Sequence, residues 1–267
     1  MNTLPNRLLS LLRDPLDHSP LELREGGLVS AANGRRYPIV DGIPALLDEA
    51  DVGPQNVRLR DMYRWMSGGF DVVDRIGNVV SLGFITKARR QLAAELDLMP
   101  GERCLYTSIG TGLDLPFLAE RVALDRMELV GLDLSREMLR QCQRKLARWP
   151  GPVLVQANAE RLPFAAGAFD AVFHLGGINL FDRPALAAQE MARVARPGGR
   201  VLIADETAAV VRSQYQGWNP FTRKACRGIS TDFDPRDWVP AGVEAVHYEE
   251  TFKGKGYLLK FQVSGAR

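Results

Sequence analysis

The chain has 267 residues, 46% of them hydrophobic, and a formal net charge of +2. These values predict a globular protein with one large domain and a small appendage, and the near-neutral charge argues against a general nucleic-acid or anionic-membrane surface. The three cysteines, Cys104, Cys142 and Cys226, lack pair spacing and favour a reducing compartment over a disulfide framework. Because neither a secretory signal nor an apolar run of roughly 20 residues stands out, we expect a cytoplasmic protein without a membrane span.

The N-terminal part of the chain is rich in turn formers, and its apolar runs are short. Residues 21–23, 27–29 and 35–40 predict strands, and Asn33-Gly34 is a strong hairpin signal. About 40 residues cannot hold an independent core, so this segment should need a metal or docking onto the main domain. We therefore divide the chain into residues 1–50 and a main domain at residues 51–267.

The next stretch has the composition of a polar linker, residues 51–60, followed by helices. Its bulky side chains favour core packing, with a lid over a ligand as the alternative and Gly68-Gly69 as its hinge. Basic residues on the following helix favour a solvated face over contact with a carboxylate. The bulky side chains are Met62, Tyr63, Trp65, Met66 and Phe70, and the basic ones are Lys87, Arg89 and Arg90.

From residue 101 short apolar runs alternate with helical patterns. We predict strands at 104–109, 127–132, 153–156, 169–175 and 200–204, and helices at 113–122, 135–147 and 184–195. This alternation indicates an α/β fold with a Rossmann-like, doubly wound and mostly parallel sheet, whose ligand loops lie at the carboxyl ends of the strands. The tail, residues 243–263, predicts an antiparallel hairpin that closes the sheet edge, beside the small N-terminal β-rich segment.

A glycine turn follows the first of these strands. Gly110 and Gly112 permit positive φ and open the backbone to a ligand at the start of the next helix. Asp133 ends the second strand about 20 residues later, where a carboxylate accepts from the ribose hydroxyls of a nucleoside ligand. Leu115 stands where a dinucleotide fingerprint needs its third glycine, so a pyrophosphate ligand is disfavoured.

Five motifs in order resemble the class I S-adenosylmethionine-dependent methyltransferases, over roughly residues 60–210. The nearest pattern is the subfamily with the ubiquinone and menaquinone C-methyltransferases. The motifs are Ser81-Leu82-Gly83, Gly110-Thr111-Gly112, Leu132-Asp133-Leu134-Ser135, Leu162-Pro163-Phe164 with Phe169-Asp170, and Arg196-Pro197-Gly198-Gly199.

The resemblance implies S-adenosyl-L-methionine as the cofactor and assigns residues to it. The glycine turn would approach the methionine part, Asp133 would hold the ribose, and Asn158 would accept from the adenine amino group through its amide oxygen. Leu134 and Met138 would pack on the adenine. The complete set of expected cofactor residues is Ser108, Gly110, Thr111, Gly112, Asp133, Leu134, Met138, Asn158, Ala159 and Leu175.

The first strand departs from the family pattern at two positions. Tyr106 replaces the acid of the family, and Ser108 replaces its first glycine. Loss of the acid removes a negative group near the ammonium and sulfonium charges of the cofactor. Ser108 is small enough to fit, and its hydroxyl could bond the methionine carboxylate. We expect cofactor binding to survive both changes.

Methyl transfer from a sulfonium needs a base only if the acceptor must lose a proton. His174, near the end of the fourth strand, is the best-placed candidate, and a histidine satisfied within the core is the alternative. Asn179 on the next loop could orient a substrate oxygen, with a purely local role in the turn as the alternative. Asp205 could also face the pocket, although acids at such positions are often helix caps.

The N-terminal segment resembles a small zinc-ribbon module that accompanies or activates several methyltransferases. The resemblance rests on Gly34–Pro44 and the preceding Pro20-Leu21-Glu22. The two CxxC pairs of that module fall on Asp14, Asp17, Ser30 and Asn33 here. Two carboxylates, a hydroxyl and an amide do not make a zinc site, so we expect the ribbon shape without a metal.

The leading function is therefore methylation of a small, apolar or aromatic molecule at oxygen, carbon or nitrogen. One alternative is an RNA methyltransferase, which the near-neutral charge and the missing zinc ligands disfavour. Another is a protein that keeps the fold for binding or for a reaction other than methylation. Residues 60–85 and 205–240 should form the substrate walls. Neither the acceptor atom nor the oligomeric state can be read from the sequence.

Overall fold

A computed structural model describes residues 4–80, 82–215 and 230–265, which leaves Ser81 and Cys226 outside the described residues. The strands are β1 (Leu21–Arg24), β2 (Gly27–Ser30), β3 (Arg36–Tyr37), β4 (Ile39–Val40), β5 (Ile43–Leu46), β6 (Arg103–Thr107), β7 (Glu128–Asp133), β8 (Val153–Ala157), β9 (Phe169–Leu175), β10 (Ala195–Glu206), β11 (Val243–Thr251) and β12 (Gly256–Val263). The α-helices are α1 (Asn6–Leu9), α2 (Pro54–Met66), α3 (Phe70–Val80), α4 (Phe84–Glu95), α5 (Leu115–Ala119), α6 (Arg136–Lys145), α7 (Pro184–Val194) and α8 (Ala208–Tyr215).

A nine-stranded sheet has the order β11-β12-β10-β9-β6-β7-β8-β5-β4. Its six strands from β10 to β5 run parallel, whereas β12 pairs antiparallel with β10, β11 with β12, and β4 with β5. Helices fill the connections from β5 to β6, β6 to β7, β7 to β8 and β9 to β10, whereas a loop over residues 158–168 joins β8 to β9. The mostly parallel α/β fold and the closing hairpin of the tail are confirmed.

The central strands are buried on both faces because helices cover both sides of the sheet. On β6, Leu105 packs into one core cluster, while Cys104 and Tyr106 pack into the other, and all three are at most 1% exposed. This period of two explains why β6 is almost continuously apolar. Among the described residues, no helix is long and apolar enough to cross a bilayer.

The N-terminal segment docks onto the main domain through its strands and its apolar side chains. The strands β1, β2 and β3 form a small antiparallel sheet, and β5 adds to the large sheet parallel to β8, with Leu46 opposite Ala157. Leu12, which is fully buried, forms a bridge to Phe164. Docking therefore supplies the core that the segment lacks. Because β4 and β5 belong to the large sheet, the division of the chain into two domains at residue 50 stays a prediction.

The prediction of a polar linker over residues 51–60 was wrong, because α2 begins at Pro54. Proline suits the first turn of a helix, where its missing N–H costs nothing. The next two backbone N–H groups, of Gln55 and Asn56, donate to the Asp182 carboxylate at 3.0 and 2.7 Å. This cap comes from a loop more than a hundred residues away, so no local pattern announces it.

Candidate active site

A single cleft lies at the carboxyl ends of the parallel strands and holds about 970 Å³, including its mouth. Ser108 follows β6, Asp133 ends β7, Asn158 follows β8 and Leu175 ends β9, and all four line the cleft. A cleft of this size suits a nucleoside ligand with room for a second small molecule. The remaining expected cofactor residues on its wall are Gly110, Thr111, Leu134, Met138 and Ala159.

The glycine turn has left-handed backbone at three positions, Ser108 (φ 60°), Gly110 (φ 57°) and Gly112 (φ 73°). A Cβ atom on Gly112 would lie 2.8 Å from the Cys142 sulfur, so glycine there lets the turn pack against α6. Gly112 accordingly lies behind the cleft and is not among its lining residues. A Cβ on Gly110 would meet no protein atom within 4 Å, so that side of the turn is open to a ligand.

Asp133 is held rigidly at the rim of this turn. Its Oδ2 accepts from the Gly110 N–H at 2.9 Å, and its Oδ1 accepts from the Ser135 N–H at 2.8 Å. Burial raises the pKa of Asp133 to about 6, although both backbone donors act in the opposite direction. Each carboxylate oxygen keeps a lone pair for a further donor, as a ribose diol requires.

The far end of the cleft offers an unpaired donor. Asn158 is 7% exposed, and its Oδ1 accepts from the Glu160 N–H at 3.0 Å. Its Nδ2 is buried without a partner among the described residues. A buried polar group without a partner is costly unless a ligand satisfies it, so the site fits the nitrogen-rich edge of a purine. The oxygen that the resemblance assigned to the adenine amino group is thus already used once.

A carboxylate does reach the position where Tyr106 replaces the family acid. The buried Tyr106 hydroxyl donates to Asp114 Oδ2 at 2.5 Å, and Asp114 lines the cleft. Burial and the neighbouring Asp114 raise the pKa of Tyr106, so the phenol stays neutral and donates. Arg89 donates to Asp114 Oδ1 at 2.7 Å and to Asp74 Oδ1 at 2.8 Å. The prediction of a solvated Arg89 was wrong, and the missing negative charge is supplied eight residues downstream.

Asp71 ties α3 to the glycine turn by a hydrogen bond and to α6 by an ion pair. The Thr111 hydroxyl donates to Asp71 Oδ1 at 2.6 Å, and Lys145 Nζ lies 2.6 Å from Asp71 Oδ2. Because α3 follows α2 directly, this contact also fixes the cover of the cleft.

The cover of the cleft is one face of α2 together with the start of α3. Tyr63 and Phe70 meet edge to face, with ring centroids 5.9 Å apart, and both line the cleft rather than the core. The cleft-facing residues of α2 are Asn56, Leu59, Arg60 and Tyr63, which have the spacing of one helix face. Sequence reasoning missed Asn56 and Leu59 because they fell in the supposed linker, whereas Arg60 and Tyr63 belong to the predicted wall at 60–85. Of the predicted wall at 205–240, residues 205–213 and 230–240 do not line the cleft, and the side chains of 214–229 lie outside the described part of the chain.

The two predicted catalytic residues lie beside the cleft and not on its wall. His174 is fully buried, its Nδ1 is 3.1 Å from the Thr107 hydroxyl, and burial lowers its pKa to about 4. Asn179 is 6% exposed, donates to the Glu206 carbonyl at 2.7 Å and accepts from the Tyr257 hydroxyl at 2.9 Å. These placements favour the structural alternatives, and the catalytic assignments stay predictions.

Asp205 organises the loop that carries Asn179. Its Oδ2 accepts from the N–H groups of Gly177 and Asn179 at 2.9 and 3.0 Å, and its Oδ1 accepts from the Glu206 N–H at 2.8 Å. Burial raises the pKa of Asp205 to about 7. Gly177 lines the cleft, so Asp205 shapes the wall from behind.

The four positions predicted for zinc ligands come together in the N-terminal segment. The Asn33 amide donates to Asp14 Oδ2 at 3.1 Å and to Asp17 Oδ2 at 2.5 Å, and the Asn33 N–H donates to the Ser30 hydroxyl at 3.4 Å. Within the described residues, no group of three or more histidine, cysteine or acidic side chains could hold a metal. The Asn33 amide thus joins the two carboxylates by hydrogen bonds.

Comparison with known proteins connects both parts of the chain to described families. Residues 105–203 match the methyltransferase domain family, and residues 6–42 match the Trm112p-like proteins. The chain is 32% identical to a demethylmenaquinone methyltransferase of Beutenbergia cavernae over 209 residues, which cover 72% of this chain and 84% of that protein. It is 31% identical to the ubiquinone/menaquinone biosynthesis C-methyltransferase UbiE of Syntrophotalea carbinolica over 199 residues, 73% of this chain and 82% of that protein.

A solved structure shares the fold at low sequence identity. A chain in the complex between the Haloferax volcanii Trm112 methyltransferase activator and a methyltransferase superposes with a TM-score of 0.55 at 16% identity, covering 76% of this chain and 97% of that chain. The match over residues 6–42 fits the zinc-ribbon-like N-terminal segment. The two methyltransferases of Beutenbergia cavernae and Syntrophotalea carbinolica each share more than four fifths of their length with this chain. The chain therefore belongs to the class I S-adenosylmethionine-dependent methyltransferases.

Proposed function

We propose that this enzyme transfers the methyl group of S-adenosylmethionine to a small apolar or aromatic molecule. One observation carries the proposal: the expected nucleoside-binding positions and an aromatic cover share one cleft. Asp133 and Asn158 form its polar floor, whereas Leu59, Tyr63 and Phe70 cover it with apolar surface. A polar floor with an apolar cover suits a nucleoside cofactor below and an apolar acceptor above.

The residues present fit the cofactor. Asp133 offers two fixed acceptors for the ribose, and Leu134 and Met138 offer apolar contact for the adenine. The unpartnered Asn158 amide would donate to a ring nitrogen of the base. Asp114 gives the cleft a fixed negative charge toward the cationic methionine part.

When bound, the cofactor supplies a methyl group activated by a sulfonium charge. The chain positions the reactants and excludes water, because in-line displacement requires the two reactants to be held close together in a site without water. Tyr63 and Phe70 exclude water from the cover side. Because Asp133, the wall residue with a pKa of about 6, is assigned to the ribose, an acceptor that ionises before transfer, without a base from the enzyme, suits this site best.

The relatives support a ring-bearing acceptor, since their names specify demethylmenaquinone, ubiquinone and menaquinone methylation. We propose an acceptor with the phenolic ring of a reduced quinone, a quinol, or of a simple phenol, which is methylated at carbon or oxygen and releases one proton, with nitrogen as the alternative acceptor atom. An RNA acceptor is disfavoured, because the two arginines of the cleft already have carboxylate partners, Glu49 for Arg60, and Asp74 with Asp114 for Arg89. A role in binding without methylation is disfavoured because the acid lost at position 106 is replaced by Asp114.

Calorimetry with the full chain tests cofactor binding, and mass spectrometry tests transfer. We expect S-adenosylmethionine to bind to the full chain. Asp133→Ala should lower the affinity for the cofactor by about tenfold or more, and Asp125→Ala, at an exposed position, should leave this affinity unchanged. Incubation with a demethylated quinone kept reduced as its quinol, and with a simple phenol, should yield a product in which a methyl group replaces one hydrogen. Absence of binding at about 1 mM cofactor would contradict the proposal. Binding without a methylated product would support the binding-only alternative.

A further inference from the structure

Helix α3 is amphipathic, but its apolar face points to solvent and not to the core. Its polar residues face the protein: Asp71 contacts Thr111 and Lys145, and Asp74 contacts Arg89. Its aliphatic residues face outward, with 57% to 78% of each exposed. These are Val72, Val73, Ile76, Val79 and Val80. A helix of a globular protein normally buries its aliphatic stripe, so this face is built to meet something apolar.

The exposed stripe continues beyond the helix. Leu82, in the turn after α3, is 95% exposed, and Phe84 begins α4. The Phe84 ring meets Phe252 of the β11–β12 turn edge to face, with centroids 5.6 Å apart. The apolar face, defined as Val72, Val73, Ile76, Val79, Val80, Leu82 and Phe84, therefore runs from the rim of the cleft to the closing hairpin.

Basic side chains flank the apolar face. Lys253 and Lys255 are exposed in the β11–β12 turn, and Lys255 Nζ lies 5.5 Å from the centroid of Phe84. Arg75 is exposed on α3 itself, and Lys87 is exposed on α4. The carboxylates of α3 point inward and are ion-paired, and the nearby exposed acid is Glu250, on the strand that leads to the turn. The flanks are thus positive although the whole chain carries only +2.

We propose that the apolar face seats this protein on the surface of an anionic lipid bilayer, with α3 in the headgroup region. An aliphatic face with a basic border is the pattern of helices that lie in a membrane interface. A second copy of the chain fits less well, because pairing two such faces would crowd their lysines together. The apolar face adjoins the cleft, since α3 starts at Phe70 and Phe70 lines the cleft.

The position of the apolar face beside the cleft suggests why the protein would dock on a membrane, and this reason rests on the proposed acceptor. An apolar quinone-like molecule partitions into lipid, so a cleft that opens at the membrane surface receives it without passage through water. The docking itself does not depend on the identity of the acceptor, and vesicle binding can be measured without turnover.

Sedimentation of the full chain with vesicles tests the docking. We expect binding to phosphatidylcholine vesicles that contain about 30% phosphatidylglycerol, and weaker binding when that lipid is omitted or the salt is raised. Val73→Ser/Ile76→Ser should lower the partition coefficient by about tenfold or more, and Lys253→Gln/Lys255→Gln by about tenfold at low salt. The matched control is Met99→Ser/Val246→Ser, which removes two exposed apolar side chains outside the apolar face, Met99 before β6 and Val246 within β11, and should bind as wild type.

Three results would overturn the docking: no sedimentation with anionic vesicles, equal binding by the Val73→Ser/Ile76→Ser variant, or a dimer that this variant converts to monomer. The last result would assign the face to a second copy. Cofactor affinity and far-ultraviolet circular dichroism of the variant should match wild type, which excludes misfolding. Vesicle binding by a protein that fails to bind S-adenosylmethionine would leave the docking standing and remove the proposed function.

Discussion

At the scale of single residues, the raised pKa of Asp133 links cofactor affinity to pH. Burial raises this pKa to about 6, and only the ionised carboxylate accepts from both ribose hydroxyls. Cofactor binding should therefore be strong above pH 6 and weaken as the carboxylate takes up a proton below it. We expect about a tenfold higher Kd at pH 5 than at pH 7.5, measured by calorimetry.

The control for this prediction is Asp133→Asn, which cannot titrate. Its affinity should be low at both pH values, and the ratio between them should be close to one. Any titration of the ligand itself is shared by both proteins, so it cancels in the comparison. An equally steep pH dependence in the variant would show that another group controls binding.

Asp114 should matter more for a cationic ligand than for a neutral one. S-adenosylmethionine carries a sulfonium charge that S-adenosylhomocysteine lacks, and Asp114 is the carboxylate that Tyr106 and Arg89 hold at the cleft. We expect Asp114→Asn to weaken the first ligand by about tenfold and the second by less than about threefold. Tyr106→Phe keeps the charge and serves as the matched control, with a smaller effect on both ligands. Equal losses for the two ligands would argue against an electrostatic role.

The sequence predicted the residues of the site whose signals are local and missed those set by distant contacts. The glycine turn and Asp133 follow from a strand, two glycines and an acid at the right spacing. Asp114 was missed because its partner Arg89 belongs to another helix. His174 was placed on the right strand, but side chains alternate along a strand, so Leu175 faces the cleft and His174 packs beneath it.

At the scale of elements, five of the six parallel strands were predicted within about five residues because they are apolar runs bounded by turns, whereas β5 was not predicted. The range 169–175 coincides with β9, and the closing hairpin was placed correctly. A helix was predicted after residue 60, but the start of α2 at Pro54 was not, since it depends on Asp182 in a distant loop. The reversed polarity of α3 also escaped, because periodicity identifies a helix face without saying which side is buried.

The N-terminal ribbon should depend on the amide that replaces its metal. Asn33 bridges the Asp14 and Asp17 carboxylates, so Asn33→Ala removes the amide donor that they share and leaves Arg35, 3.6 and 4.0 Å away, as their common cationic neighbour. We expect the free energy of unfolding, from urea titration, to fall by about 1–3 kcal/mol. Asn6→Ala is the control, since Asn6 is exposed in the same segment and should change stability by less than about 0.5 kcal/mol. Equal effects of the two substitutions would mean that the bridge is not stabilising.

At the scale of the whole molecule, the sheet gathers three titratable groups with shifted pKa values under one cleft. Burial raises the pKa of Asp133 to about 6 and that of Asp205 to about 7, and it lowers the pKa of His174 to about 4. The two acids hold protons more tightly in the folded state than in the unfolded state, where an aspartate has a pKa of about 3.9. Their contribution to stability is present at low pH and is lost as pH rises through the folded pKa.

The titration of His174 changes the stability in the opposite direction, and it does so at lower pH. Its unfolded pKa is about 6.5, so its folded state is favoured increasingly as pH rises to that value and is unaffected above it. Between about pH 6.5 and 8 the titration of Asp205 therefore dominates, and the free energy of unfolding without cofactor should fall by about 1 kcal/mol. Urea titrations at the two pH values measure this fall. In Asp205→Asn, which is less stable throughout because its amide cannot accept all three N–H groups, the fall should disappear. A slope unchanged by that substitution would place the titrating group elsewhere in the fold.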